Sequence, residues 1–220
     1  MFRAIGLALL AAGCAPPSGS NQTTDAGNAT LESATQQDKS QEIAAADGPF
    51  GYAMGQSIDR LGLEKMDKPG LYQTSTPPKP HDDFETIVVE AYPETGICRI
   101  RGVGRDLDGD GSGASVRGKV QELAEALSTR YGEGKKVDNC SGGDIECGSQ
   151  FWMMTLNGGE RYHGYEWMRQ TEKMKATSIG SIDVAARASD ISTSYALVEY
   201  HSNNKAACDK ARRASSASSL

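Results

Sequence analysis

The chain predicts an α+β fold, a small antiparallel sheet packed by one main amphipathic helix, as a single domain over residues 48–213. Three observations predict it. Two runs rich in β-branched residues flank the turn Pro93-Glu94-Thr95-Gly96, which is the pattern of a hairpin. Past Ser115 the apolar period lengthens from that of a strand to that of a helix. Strand and helix patterns then follow in irregular order, with no βαβ repetition and no internal repeat, which points away from a parallel sheet. At 220 residues and 38% hydrophobic, the chain has room for one modest core and for extra segments at its ends.

The N-terminus reads as an address. Met1-Phe2-Arg3 carries one positive charge, and Ala4 to Ala12 is an uncharged run of apolar residues and glycine. That run is far shorter than the roughly 20 residues a membrane-crossing helix needs. Residues 1–13 therefore read as a signal peptide. Its end, Leu10-Ala11-Ala12-Gly13-Cys14, resembles the lipobox of bacterial lipoproteins, with Ala11 where that family most often has Leu. The resemblance implies cleavage before Cys14, acylation of Cys14 and permanent membrane attachment, since more than one acyl chain is needed for a stable anchor. Ala15 in place of Asp implies the outer membrane, facing the periplasm, in a Gram-negative source. The plainer alternative is an ordinary secretory signal followed by an unmodified Cys14. Residues 14–47 then form the lipidated cysteine and a flexible tether. Its only large aliphatic residues are Leu31 and Ile43, too little apolar surface to offset the entropy of ordering. Such a tether reaches roughly 30 Å and stretches to about 110 Å.

Within the domain, Phe50 to Gly55 reads as a short extended opening, and Ser57 suits the N-cap of a brief helix through Leu61. Phe84–Ala91 is the clearest strand, apolar on both faces and so expected inside the sheet. Ile97–Val103 returns beside it, with Cys98 and Ile100 expected on one face and Arg99 and Arg101 on the other. Val116, Val120, Leu123, Leu127 and Tyr131 make the stripe of the main helix, and Gly132 suits its end. Phe151–Leu156 fits a helix or a strand, because Asn157-Gly158-Gly159 serves as a hairpin turn or a helix stop. Ile182–Ala186 and Tyr195–Tyr200 read as a late strand pair and Lys205–Arg213 as a short basic helix, with residues 214–220 a disordered tail. Gly96-Ile97-Cys98-Arg99-Ile100, a helix closing on Tyr131-Gly132, Trp152-Met153-Met154 with Glu160-Arg161, and Tyr200 with Asn203 and Cys208 together resemble a poorly characterised group of small secreted bacterial α+β proteins. That resemblance spans about residues 50–210, implies a helix at Phe151–Leu156 and brings no activity with it.

Four cysteines remain beyond Cys14, an even number suited to an oxidising compartment. Four allow three pairings. Cys140 and Cys147 bracket the flexible Ser141-Gly142-Gly143-Asp144 and are expected to pair, which leaves Cys98 with Cys208. Four free thiols are the alternative.

Chemistry is sparse. A net charge of -6 supplies no distributed positive field for phosphate backbones, so no nucleic-acid partner is expected. Gly113 to Lys119 has the spacing of a phosphate-binding loop. Val120 stands where a hydroxyl should hold the metal, and Gly118 falls within the helical stripe, so no nucleotide is expected either. His81, His163 and His201 are the only histidines, and no HxxxH or CxxC spacing suggests zinc. Arg161, Tyr162, His163, Tyr165 and Trp167 form a polar and aromatic run that could line a binding groove, with packing as the plainer reading. Asp106, Asp108 and Asp110 before Gly111 reproduce the first half of a calcium loop. Arg117 occupies the place of its last carboxylate, so the expectation is a turn at the start of a helix, with weak calcium binding as its functional alternative. These features favour a lipid-anchored envelope protein that binds, scaffolds or inhibits, with an envelope protein among its expected partners. The alternative is an envelope hydrolase acting on cell wall or polysaccharide through carboxylates scattered in sequence.

Overall fold

Two antiparallel meanders lie side by side in one open sheet of nine strands. The computed structural model describes residues 47–217, except Asp110, Asp144 and Gln170. The first meander is β1 (Glu64–Lys65), β2 (Leu71–Thr74), β3 (Phe84–Tyr92) and β4 (Gly96–Gly104). A two-residue strand, β5 (Leu107–Asp108), then leads into helix α1 (Ala114–Tyr131), which carries the chain to the far edge of the sheet. The second meander returns from that edge as β6 (Lys135–Cys140), β7 (Arg161–Met168), β8 (Ile179–Ala188) and β9 (Thr193–Ser202), with helices α2 (Trp152–Asn157) and α3 (Glu172–Lys175) in its connections. Helix α4 (Lys205–Ala217) follows. The strand order is β1-β2-β3-β4-β9-β8-β7-β6, with β5 pairing β9 beyond the end of β4. The meanders join where β4 pairs β9, from Arg99 opposite His201 to Val103 opposite Leu197.

The expected stripe of α1 packs on the sheet: Val116, Val120, Leu123 and Tyr131 are buried with Ile87, Val89, Ile100, Ile182, Val184 and Val198. The C-terminal carbonyls of α1 find partners outside the helix, as an exposed set would need. Thr171 Oγ1 donates to the Tyr131 carbonyl at 2.8 Å, Lys173 Nζ to that of Thr129 at 3.1 Å, and Trp167 Nε1 to that of Gly132 at 2.7 Å. Both disulfides pair as the spacing predicts, Cys98 with Cys208 and Cys140 with Cys147, at Cα separations of 5.7 and 5.9 Å.

Several expectations are corrected. The α+β class with one main helix on an antiparallel sheet holds, and β1, β2 and β6, short or exposed strands with little apolar signal, widen the sheet beyond the strands the sequence marks. Phe50–Gly55 is extended only in part: the chain becomes extended at Tyr52, after a 3-10 turn over Pro49–Gly51 with Phe50 at φ 54°, a conformation rare outside glycine. Packing holds it there, since the Phe50 ring meets Phe84 and Tyr200 edge-on at 5.2 and 6.3 Å. No helix follows Ser57. Its Oγ caps only a turn, accepting from the Asp59 amide at 3.4 Å, and a segment that short cannot sustain a helical nucleus. Cys98 does not share a face with Ile100. A β-bulge leaves Cys98 as the unpaired residue between the pairs Glu90–Arg99 and Ala91–Ile97, so it turns to the same side as Arg99 and meets Cys208 and Tyr92 there. Phe151–Leu156 resolves as helix over Trp152–Leu156, and α4 runs to Ala217, past the limit expected at Arg213.

Candidate functional site

Strand alternation sorts the Arg161–Trp167 run. Arg161, His163, Tyr165 and Trp167 lie on the face that α1 and α2 cover, while Tyr162 points to the opposite face, where Arg187 stacks on its ring at 5.7 Å. Trp167 is 2% exposed and serves the core and the end of α1, so neither Tyr162 nor Trp167 joins a groove. Arg161 and His163 do come together, through Asp138 on the neighbouring strand, which pairs directly with His163 in the ladder.

The arrangement is a relay of fixed side chains. Arg161 Nη2 donates to the Cys147 carbonyl at 2.7 Å and Nε to Thr155 Oγ1 at 3.1 Å. Its guanidinium lies over the Trp152 ring at 5.6 Å. Nη1 meets Asp138 Oδ1 at 3.3 Å, and Asp138 Oδ2 holds His163 Nδ1 at 2.9 Å. The Cys140–Cys147 loop thus steadies Arg161, Arg161 steadies Asp138, and Asp138 fixes the imidazole. A carboxylate on Nδ1 sets the ring's orientation and leaves Nε2 for a ligand. His163 is buried, 3% exposed, yet it lines the floor of an open groove of about 360 Å³ between α1 and β6–β7. The walls are Ala114, Arg117, Gly118 and Gln121 from α1 and Lys136 from β6. Gln121 accepts from the Tyr165 hydroxyl and donates to Glu125 Oε1 at 2.7 Å. No family of proteins, curated protein or solved structure matches the chain, so the chemistry of this groove carries the functional argument.

Elsewhere the sequence-marked residues serve structure or stand apart. Lys119, last residue of the loop-like Gly113–Lys119 spacing, sits inside α1 and binds Asp83 Oδ1 at 2.8 Å and Glu122 Oε2 at 2.9 Å. Gly113 is at φ 65°, and a Cβ there would overlap the Trp152 indole, so close helix packing accounts for it. Asp108 lies in β5 opposite Thr193, with Asp106 just ahead of that strand. Asp110 lies outside the described residues, as does Cys14. Among the described residues no three His, Cys, Asp or Glu side chains converge on a metal position. A second, apolar cavity of about 270 Å³ lies under Phe50, beside Leu123, Leu127 and Tyr200.

The sheet's other face carries charge that sequence reading missed. One cross-strand row runs Lys135, Glu166, Asp183, Glu199, Arg101 over five adjacent strands. Burial, then the charges of Glu166 and Glu199, push the Asp183 carboxyl up to about 6. Burial also pushes Glu199 up, but the hydrogen bond and charge of Arg101 and the charge of Arg99 outweigh it, and Glu199 ends below its ordinary value. His201, 3.7 Å from Asp183, is held below its ordinary value chiefly by burial. Only the register, invisible until the strands pair, assembles this row.

Proposed function

We propose that the protein is a lipid-anchored cell-envelope module that acts by binding, scaffolding or inhibition and not by catalysis, with its ligand held in the groove between α1 and β7. The observation that carries this reading is the groove itself: a buried histidine fixed by Asp138, beneath walls that present Arg117, Lys136 and Gln121. Cations and an amide around a preformed hollow are recognition chemistry. The lipobox-like Leu10 to Cys14 supports the anchor, with the outer membrane facing the periplasm as its site in a Gram-negative cell, and the tether would let the domain reach a partner away from the bilayer.

Crosslinking in intact cells tests the reading. A photoreactive residue at Lys136 should capture a discrete ligand, and one at exposed Lys210 on α4 should not. Equal capture from both positions, or from neither, removes the groove from the proposal. Cys14→Ser should move the chain from the membrane to the soluble fraction, and its retention in membranes would end the lipoprotein part.

A second reading has one specific observation behind it. Asp183, raised to about 6 between two other carboxylates, is the kind of acid that a hydrolase pairs with an ionised partner. Loss of a hydrolytic activity on envelope polysaccharide in Asp183→Asn would favour it.

A further inference from the structure

We propose that the α1–β7 groove binds a phosphate group carried by a larger envelope ligand. The proposal rests on the binding-module reading above and specifies its ligand. Arg117 and Lys136 face the same groove from different elements, and among the described residues neither has an ion-pair partner. Arg117 lies over the Trp152 ring at 5.8 Å, and Asp138, the carboxylate beside the histidine, is already engaged by Arg161 and His163. Two cations that face one groove without a carboxylate partner form a site for an anion.

The geometry of the walls selects the kind of anion. Cations on opposite sides of a groove call for acceptor oxygens that diverge. A tetrahedral phosphate presents oxygens toward both walls, whereas a carboxylate presents its pair along one edge. Gly118 adds an independent observation. Glycine inside a helix weakens it, yet a Cβ at Gly118 would meet nothing within 4 Å, so no packed neighbour requires its absence. What the missing side chain provides is room: with Ala114 one turn earlier, it keeps the α1 wall low between Arg117 and Gln121. A groove of about 360 Å³ exceeds a lone phosphate, so the group is held as an ester, either on a soluble molecule or in a lipid headgroup.

Calorimetric titration of the full chain with inorganic phosphate, and with acetate as comparison, tests the chemistry. Phosphate should bind saturably and acetate should not. Lys136→Gln, on an exposed edge strand, should weaken phosphate by about tenfold, and R117Q/K136Q by more. Gly118→Leu should fill the groove and abolish binding with the melting temperature kept, which separates a blocked site from a damaged fold. Flotation of the full-length Cys14→Ser chain with phosphatidylglycerol against phosphatidylcholine vesicles distinguishes the sources: binding to the former alone assigns a headgroup, and phosphate binding without vesicle binding assigns a soluble ester. Absence of phosphate binding, or equal binding by Gly118→Leu, overturns the proposal. If crosslinking from position 136 still captures a ligand in that case, the groove stands and only the phosphate is wrong; if both fail, the binding reading falls with it.

Discussion

Beneath α4, Glu90 is 2% exposed and meets Arg99 at 2.7 Å and Arg212 at 2.6 Å. Three strands away on the same sheet face, Asp183 lies between Glu166 and Glu199, and the charge of Arg187 opposes them without outweighing them. Burial disfavours a charge at both places, so burial alone cannot tell them apart. The neighbours decide. At the α4 end a disulfide and two guanidinium groups hold the buried carboxylate, and Tyr92 adds a hydrogen bond from its hydroxyl at 3.0 Å. At the bare end the register sets carboxylates side by side, where cross-strand neighbours stand about 5 Å apart. Glu199, between the two regions, shows the crossover: buried like Asp183, it is carried the other way by Arg101 and Arg99. One face thus holds a clasped end built for stability and a strained end that responds to pH.

The strongest way to break the clasped end is to remove Cys98–Cys208. Its sequence separation of 110, against 7 for Cys140–Cys147, means that a C98S/C208S chain should lose roughly 5 kcal/mol and a C140S/C147S chain about 2.5 kcal/mol on chain-entropy grounds. Urea unfolding of both double variants gives the ranking. A C98S/C208S chain as stable as its parent would mean that the ion pairs, not the disulfide, hold α4.

Next comes Arg99→Met, which keeps the aliphatic stem and removes a charge shared by Glu90 and Glu199. Breaking a buried pair from one side costs about 3 kcal/mol. Arg212 and Arg101 remain, so a loss of about 2 kcal/mol is expected in the same unfolding assay. A loss no larger than that of an exposed-pair variant would show Arg212 alone sufficient.

How much of this was legible beforehand follows from the physics of each element. The β3–β4 hairpin and the α1 stripe declared themselves because their side chains carry the period of the structure they adopt. Both disulfides followed from one short, flexible loop. By contrast, β7 (Arg-Tyr-His-Gly-Tyr-Glu-Trp-Met) mixes polar and aromatic residues on both faces, since one face meets α1 and α2 and the other carries charge, and so it shows no apolar alternation. The candidate site was half visible. Arg161 and His163 were marked as a cluster, but Asp138 lies 25 residues from His163, and no local spacing could name it. Arg117 was read only as a misfit in a calcium loop. The bulge at Cys98 also escaped detection, because a strand with one extra residue has the same composition as one without it.

The strained end yields a smaller effect with a defined sign. A carboxyl whose folded value is raised binds its proton more tightly in the folded state, so Asp183 costs stability above about pH 6 and nothing below its ordinary value of 3.8. Its side chain is about one-third exposed, so solvent screening reduces that cost to about 1 kcal/mol. Asp183→Asn should therefore gain about 1 kcal/mol at pH 7.5, a test value above its range, and nothing at about pH 3.5. His201, held low by burial, works in the opposite direction as pH falls, so the difference between parent and variant, not either curve alone, reads Asp183. A gain that persists below its ordinary value would mean that packing, not charge, produced it.

The finest test lies next to that row. The Tyr162 hydroxyl is buried with no hydrogen-bond partner among the described residues, and burial, then the charges of Asp183 and Glu166, push it up to about 12. It therefore stays neutral across the working range, and its one polar atom is desolvated without a return bond, at a cost of about 1 kcal/mol or more. Tyr162→Phe removes that atom and keeps the ring that Arg187 covers. The variant should be as stable as its parent or more stable by up to about 1 kcal/mol, and the gain should not change with pH, because no charge is lost. A destabilised Tyr162→Phe would show that a bound water completes the hydroxyl, and a gain that grew above about pH 6 would tie Tyr162 to the ionisation of Asp183.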